Sequence, residues 1–256
     1  MRALSRRPDA FDWAAHQPDE VFLGEATDPA TLTGLCDGID YVFSSLGITR
    51  QTDKVGYWDV DYGANKSVLD LAVRAGARKF VFISVVRPEL TCHVDLVAAR
   101  EAFADDLAKS GLDYTVARAT GFFNDMLDFL KMARGGRVYV FGAGKNRINP
   151  IHGADLANRY IDAFTQMEHE CSAGGPETLT YDQIDALACE ALGKPVKITH
   201  VPGWMTGLFL AAIKPFNKKL YTALAFLSTV MQNDITAPAT GTHRLGETFH
   251  NKAADA

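Results

Sequence analysis

K-F-V-F-I-S-V-V-R-P-E-L-T-C-H-V-D-L-V-A-A-R-E-A-F-A-D-D-L-A-K-S-G-L-D-Y-T-V-A-R, running from Lys79 to Arg118, decides the architecture. It opens on one run suited to a strand, Lys79–Ser84, and closes on another, Asp113–Arg118. Between them Asp95–Lys109 reads as a helix. Leu96, Phe103 and Leu107 form its buried stripe, and Gly111 follows its end. Strand, helix, strand is a parallel crossover unit. Continuous apolar runs of this kind suit strands covered on both faces.

The same alternation extends in both directions. Upstream, Arg2–Ser5, Val21–Leu23 and Tyr41–Leu46 read as strands, the last two stopped by Gly24 and Gly47. Asn65–Ala75 reads as a helix with Leu69, Ala72 and Val73 on one face and Gly76 placed to end it. Downstream, the pattern predicts a helix over Asn124–Ala133, a strand over Arg137–Phe141 and a helix over Asp155–Phe164 with Asp155 near its start. Thr180–Leu192 follows as a helix opened by a Thr180/Gln183 capping box. Two apolar helices occupy Gly203–Ile213 and Leu220–Met231, and the tail from Lys252 reads as frayed.

The chain's 256 residues are enough to bury a large core, on the order of 70–75% of the unfolded surface. Its net charge of −5 argues against a nucleic-acid surface, which needs a basic face. Cys36, Cys92, Cys171 and Cys189 show no C-x-x-C spacing, so neither a metal site nor a disulfide framework is expected. A reducing, cytoplasmic setting fits. No apolar signal region follows the N-terminus, and no apolar stretch approaches the ~20 residues needed to span a bilayer.

The expected fold is α/β, a Rossmann-like doubly wound parallel sheet with a smaller interleaved C-terminal substrate lobe. Residues 1–120 would form the dinucleotide-binding domain and 121–256 mainly the lobe, with segments near 150–180 returning to the core. M-R-A-L-S-R-R-P-D-A, Met1–Ala10, reads as the second strand of such a domain and the loop after it. The first strand, glycine-rich turn and helix, which would hold a pyrophosphate, are not in the sequence. The reading therefore expects upstream coding for that unit. It also expects Arg2–Ser5 either to pair with Tyr41–Leu46 or to leave edges unpaired, giving poor folding or weak cofactor binding.

Read in order, several short motifs resemble the atypical short-chain dehydrogenase/reductase family, in its NmrA-like and divinyl chlorophyllide reductase-like branch. They are G-E-A-T-D (Gly24–Asp28), V-F-S-S-L-G (Val42–Gly47), Y-G-A-N (Tyr62–Asn65), F-V-F-I-S (Phe80–Ser84), S-G-L-D-Y-T-V-A-R-A-T-G-F-F (Ser110–Phe123), N-P-I-H-G-A-D-L-A (Asn149–Ala157) and G-G-P-E-T-L-T (Gly174–Thr180). The resemblance implies NAD(P)H-dependent reduction of a small or medium apolar substrate, or a non-catalytic NAD(P)-sensing regulator. The family's Tyr-x-x-x-Lys pair is absent: Leu96 and Arg100 stand in its slots. Arg100 then either supplies fixed charge to the cofactor or is a solvated helix residue.

Site candidates follow from chemistry and from the resemblance. Arg6 and Arg7 suit the 2′-phosphate of NADP(H), in preference to NAD(H), or are solvated surface residues. Thr27 and Asp28 lie by the adenine, or Asp28 caps a helix. Ser44, Ser45 and Gly47 end a strand at the sheet's carboxyl edge, where ligands bind, or form an ordinary turn. Ser84 takes the family's catalytic-serine position, or is a buried strand-end serine. Arg118, Thr120, Gly121 and Phe122 would border the cofactor, with Phe123, Asn149 and His152 toward the substrate. For Phe122 and Phe123 core packing is the alternative, and His152 either transfers a proton or merely packs. Gly142-Ala-Gly144-Lys145 fits neither a dinucleotide fingerprint nor a P-loop. His169-Glu170-Cys171 reads as a surface turn. The apolar helices from Trp204 to Met231 read as a pocket lid or core, a membrane-surface contact or a dimer face.

Overall fold

The computed structural model describes residues 1–12, 17–48, 55–195 and 197–254. In chain order the elements are β1 (Arg2–Ser5), β2 (Glu20–Leu23), β3 (Tyr41–Ser44), a π-helix (Trp58–Ala64) running into α1 (Asn65–Ala75), β4 (Lys79–Val85), α2 (Asp95–Ala108), β5 (Asp113–Ala119) and α3 (Phe123–Arg134). They continue with β6 (Arg137–Phe141), β7 (Arg147–Ile148), α4 (Gly153–Ala163), β8 (Glu170–Ala173), β9 (Leu179–Thr180), α5 (Tyr181–Leu192), β10 (Lys197–Val201), α6 (Gly203–Ile213), α7 (Lys218–Met231) and α8 (Leu245–Ala254).

The central sheet is parallel, in the order β3-β4-β5-β8. Strand alternation sorts its side chains to two faces. Phe80 and Phe82 of β4 pack with Phe103 of α2 and Leu69 of α1 on one face. Val81 meets Leu156 and Tyr160 of α4 on the other. Gly76, at φ 72°, closes α1 in the left-handed region that a side chain would strain. The capping box at Thr180 forms as expected, with Gln183 N donating to Thr180 Oγ1 at 3.2 Å and Thr180 N to Gln183 Oε1 at 2.8 Å.

Of the two outcomes expected for β1 the second is found: it does not pair with β3 but in parallel with β2 alone, so among the described residues the two form a separate ribbon with an unpaired edge. Other expectations need correction. α4 begins at Gly153, with His152 as its N-cap, so Asp155 lies inside the first turn. His169 is not in a free surface turn: it stacks on Tyr114 at 4.5 Å, and β8 starts at the next residue to extend the sheet beside β5. Lys252–Ala254 finish α8, whose Leu245 and Phe249 are buried in the C-terminal core; residues 255 and 256 lie outside the described residues.

Candidate active site: two cavities meeting at one loop

The carboxyl ends of β1, β2 and β3 frame an open cavity of about 440 Å³. Its lining includes Ser5, Arg6, Gly24, Thr27, Ser45 and Gly47. The predicted pairs divide here. Arg6 lines the cavity, whereas Arg7 turns to Asp9 at 3.9 Å. Thr27 lines it, whereas Asp28 caps the short 3-10 turn at Pro29–Leu32, accepting from Ala30 N at 3.2 Å. Ser45 lines it, whereas buried Ser44 donates to Asn65 Oδ1 at 2.5 Å and so ends β3. Glu25 also borders the cavity; its carboxylate accepts from Thr27 N at 3.3 Å and lies 3.8 Å from the Arg6 guanidinium.

A second cavity of about 310 Å³ opens between the ends of β4 and β5, α3 and α7. Phe122, Met126, Phe129, Phe226, Val230 and Met231 make it largely apolar, while Tyr57, Ser84, Arg100 and Thr120 bring polar groups to it. Ile48 lines both cavities. The loop carrying Ile48 is anchored from below: Ile48 N donates to Asp61 Oδ2 at 3.1 Å, and Arg100 Nε donates to Asp61 Oδ1 at 2.8 Å. Gly47 is required for this arrangement. A Cβ there would lie 2.1 Å from Arg100 Nη2 and 2.7 Å from Asp61 Oδ1, so only glycine lets the guanidinium pass under the loop.

Asp61 is fully buried, and burial holds its carboxyl above the usual range, against the pull of Arg100 and the Ile48 amide. Arg100, 13% exposed at its side chain, is therefore a paired cation at the junction of the cavities rather than a solvated helix residue. Tyr57, also buried, has its phenol pushed up by burial and by the nearby Asp61 charge, which keeps it neutral.

Most of the remaining predicted residues are tied into the framework, although some of them also reach the second cavity. Ser84 Oγ donates to Glu101 Oε1 at 2.7 Å, so its proton is committed although the residue borders the apolar cavity. Arg118 grips both Glu101 oxygens at 2.8 and 2.9 Å and donates to Val85 O at 3.0 Å; it does not line either cavity. Thr120 Oγ1 donates to Asn149 O at 2.6 Å. Asn149 straps two loops together, donating to Gly175 O and Ala237 O and accepting from Ala237 N. Phe123 is buried in the C-terminal core, with His152 edge-on at 5.6 Å. His152 accepts from Ala154 N at 3.3 Å and stacks on His243 at 4.1 Å, away from both cavities. Thr120, Gly121 and Phe122 reach the second cavity; Phe123, Asn149 and His152 do not.

Sequence reasoning missed Asp61 and Glu101, and it held Tyr57 only as an acid that would overturn its assignment of the site. One signal was available: Arg100 and Glu101 sit on a helix otherwise packed into the core, and buried charges need partners. Among the described residues no cluster of His, Cys, Asp and Glu could hold a metal ion.

The residues present fit a dinucleotide at two points: an exposed guanidinium at a strand end and a roomy cleft at the carboxyl edge of parallel strands. The comparisons agree. The family described as NAD(P)H-binding matches residues 1–166. Photosystem II assembly factor Ycf39 of Synechocystis sp. is 27% identical over 206 residues, covering 79% of this chain and 62% of that protein. Divinyl chlorophyllide a 8-vinyl-reductase of Arabidopsis thaliana is 29% identical over 177 residues, covering 64% and 42%. The chain thus spans less than two thirds of the length of either relative. Among solved structures, the NADPH-dependent quinone oxidoreductase QOR2 of Escherichia coli, complexed with NADPH, superposes with a TM-score of 0.73 at 20% identity, over 98% of this chain and 89% of that one. The chain belongs to the NAD(P)H-binding family.

Proposed function

We propose that the protein is an NAD(P)H-dependent reductase of a small or medium apolar substrate, with NADP(H) preferred. The observation that carries this reading is the meeting of the two cavities at Ile48: a cleft of mixed polar and apolar lining with an exposed arginine on one side, an apolar chamber on the other. The dinucleotide, when bound, supplies the reducing equivalents. Arg6 holds its phosphate end, Ser45 offers a hydroxyl along the cleft, and Arg100 sets a fixed positive charge at the junction. Phe122, Phe129 and Phe226 exclude water from the chamber, which strengthens every charge interaction inside it. Arg100 cannot act as a proton donor near neutral pH, because a guanidinium stays charged. Ser84 is committed to Glu101. Tyr57 also borders the chamber, but burial and the Asp61 charge make its phenol a weaker acid, so proton delivery to a reduced product falls to water or the substrate itself.

A second reading is a non-catalytic NAD(P) sensor. The absent Tyr-x-x-x-Lys pair and the committed Ser84 proton favour it. NADPH oxidation assayed over a panel of quinones and other apolar acceptors separates the two. Turnover with at least one acceptor supports the reductase. Tight NADPH binding with no turnover over the whole panel favours the sensor.

A further inference from the structure

α6 has the composition of a core helix and the exposure of a surface one. Its sequence G-W-M-T-G-L-F-L-A-A-I contains no charge, and Thr206 alone among its residues is buried. Trp204 is 73% exposed, Leu208 68% and Phe209 53%, and Phe216 on the following turn is 89% exposed. At 100° per residue, the exposed positions from Gly207 through Trp204 and Leu208 to Phe209 cover roughly 200° of the helix. A folded partner covers one side of a helix, whereas a lipid phase covers everything that is not packed on the protein. Eleven residues of α-helix reach about 16 Å, half of a ~30 Å hydrocarbon core, so the helix would lie in the interface rather than cross it. Among the described residues no helix is long and apolar enough to cross a membrane.

Charge points the same way. From Gly203 to Met231 the chain carries Lys214, Lys218 and Lys219 and no acidic residue, although the whole chain is at −5. Lys214 lies over the Tyr221 ring at 5.2 Å, and Lys218 reaches Asp95 at 2.7 Å while its side chain stays 76% exposed. Lysines with aliphatic stems beside an aromatic and aliphatic patch are the pattern of an interfacial anchor on anionic lipid. α7 joins this face to the chamber: Leu227 is 39% exposed and also lines the apolar cavity.

We infer that the α6–α7 face docks the protein on the surface of an anionic lipid bilayer, with the apolar chamber opening toward the lipid. The test is flotation of the full chain with phosphatidylcholine vesicles, with and without phosphatidylglycerol. Binding is expected only with the anionic lipid and should weaken as salt is raised. Leu208→Glu combined with Phe209→Glu should abolish it. Lys214→Glu combined with Lys219→Glu should weaken it by at least roughly fivefold per lysine. NADPH affinity and the melting temperature serve as folding controls for the variants, since these side chains touch neither cavity. Binding to neither vesicle overturns the inference, as does equal binding to both. So does a wild-type dimer that Leu208→Glu with Phe209→Glu converts to a monomer without any change in vesicle binding, because the face would then be a contact between copies.

Discussion

Two arginine–carboxylate pairs, supplied by neighbouring residues of α2, use the same chemistry to different ends. Glu101 is held by both amino groups of Arg118, which also donates to Val85 O and lies 2.9 Å from Glu170. Arg100 makes one short bond to Asp61, a 3.4 Å contact with Ile83 O, and otherwise faces the cavity and the underside of Gly47. The first pair is surrounded by its own framework and fixes the ends of β4 and β5. The second borders the apolar cavity, beneath the loop whose Ile48 lines both cavities. The difference teaches that position beside open volume, rather than residue type, sets the two arginines apart, and the binding role proposed for Arg100 rests on that position.

The comparison breaks first at Glu101. Glu101→Ala leaves the Arg118 charge buried beside a partly exposed Glu170, so stability should fall by about 3 kcal/mol, the lower end for breaking a buried pair. Urea denaturation measures it, and a loss below about 1 kcal/mol would mean that the pair does not hold the strand ends together.

Gly47→Ala is the corresponding test at the junction. The added methyl forces Arg100 from beneath the loop, so NADPH affinity should fall at least about tenfold, equivalent to 1.4 kcal/mol, with a smaller loss of stability. Unchanged affinity on titration would separate the loop from the cofactor.

Arg6→Ala sharpens the assignment of the cleft. Losing a charge-assisted phosphate contact should weaken NADPH by roughly tenfold and leave NADH nearly unchanged. The same substitution at Arg7, which turns to Asp9, should do less. Equal losses for both dinucleotides would place the 2′-phosphate elsewhere.

The smallest effect lies outside both pairs. Asp185 is buried, neither carboxyl oxygen has a hydrogen-bond partner among the described residues, and burial together with the Asp182 charge pushes it up to about 7. Because its folded value lies above the unfolded one near 3.9, its favourable contribution is complete below pH ~4. That contribution is lost as pH rises through about 7, with a slope of at most about 1.4 kcal/mol per unit. Asp185→Asn should flatten this part of the stability profile. An unchanged slope would assign the pH dependence to other groups.

The sheet was legible because its signals are local and redundant. The apolar run in β4, the stripe on α2 and the caps at Gly76 and Thr180 each repeat the same instruction. β8 and β10 were not, because they are short and carry polar residues such as Glu170 and His200, so nothing local marks them as strands; pairing with β5 and β6 makes them so. At the site, sequence position brought Arg6, Thr27, Ser45 and Gly47 to the cleft, since strand ends in parallel sheets point there. It could not choose between Arg6 and Arg7 or between Ser44 and Ser45, because that choice depends on how the turn after each strand rotates. It placed Asn149 and His152 by the substrate, whereas three loop bonds and a helix cap occupy them. Asp61 was unreadable because its role depends on Arg100, thirty-nine positions away in sequence.

The central claim is that Arg100 stands where cofactor and substrate meet and acts by holding charge in place. The direct measurement is steady-state NADPH oxidation with an apolar quinone by the wild-type protein and by Arg100→Ala. Turnover by the wild type is predicted, and in the variant a raised KM for NADPH with kcat at saturation largely kept. An unchanged KM for NADPH, or no oxidation by a wild-type protein that binds NADPH tightly, would contradict it.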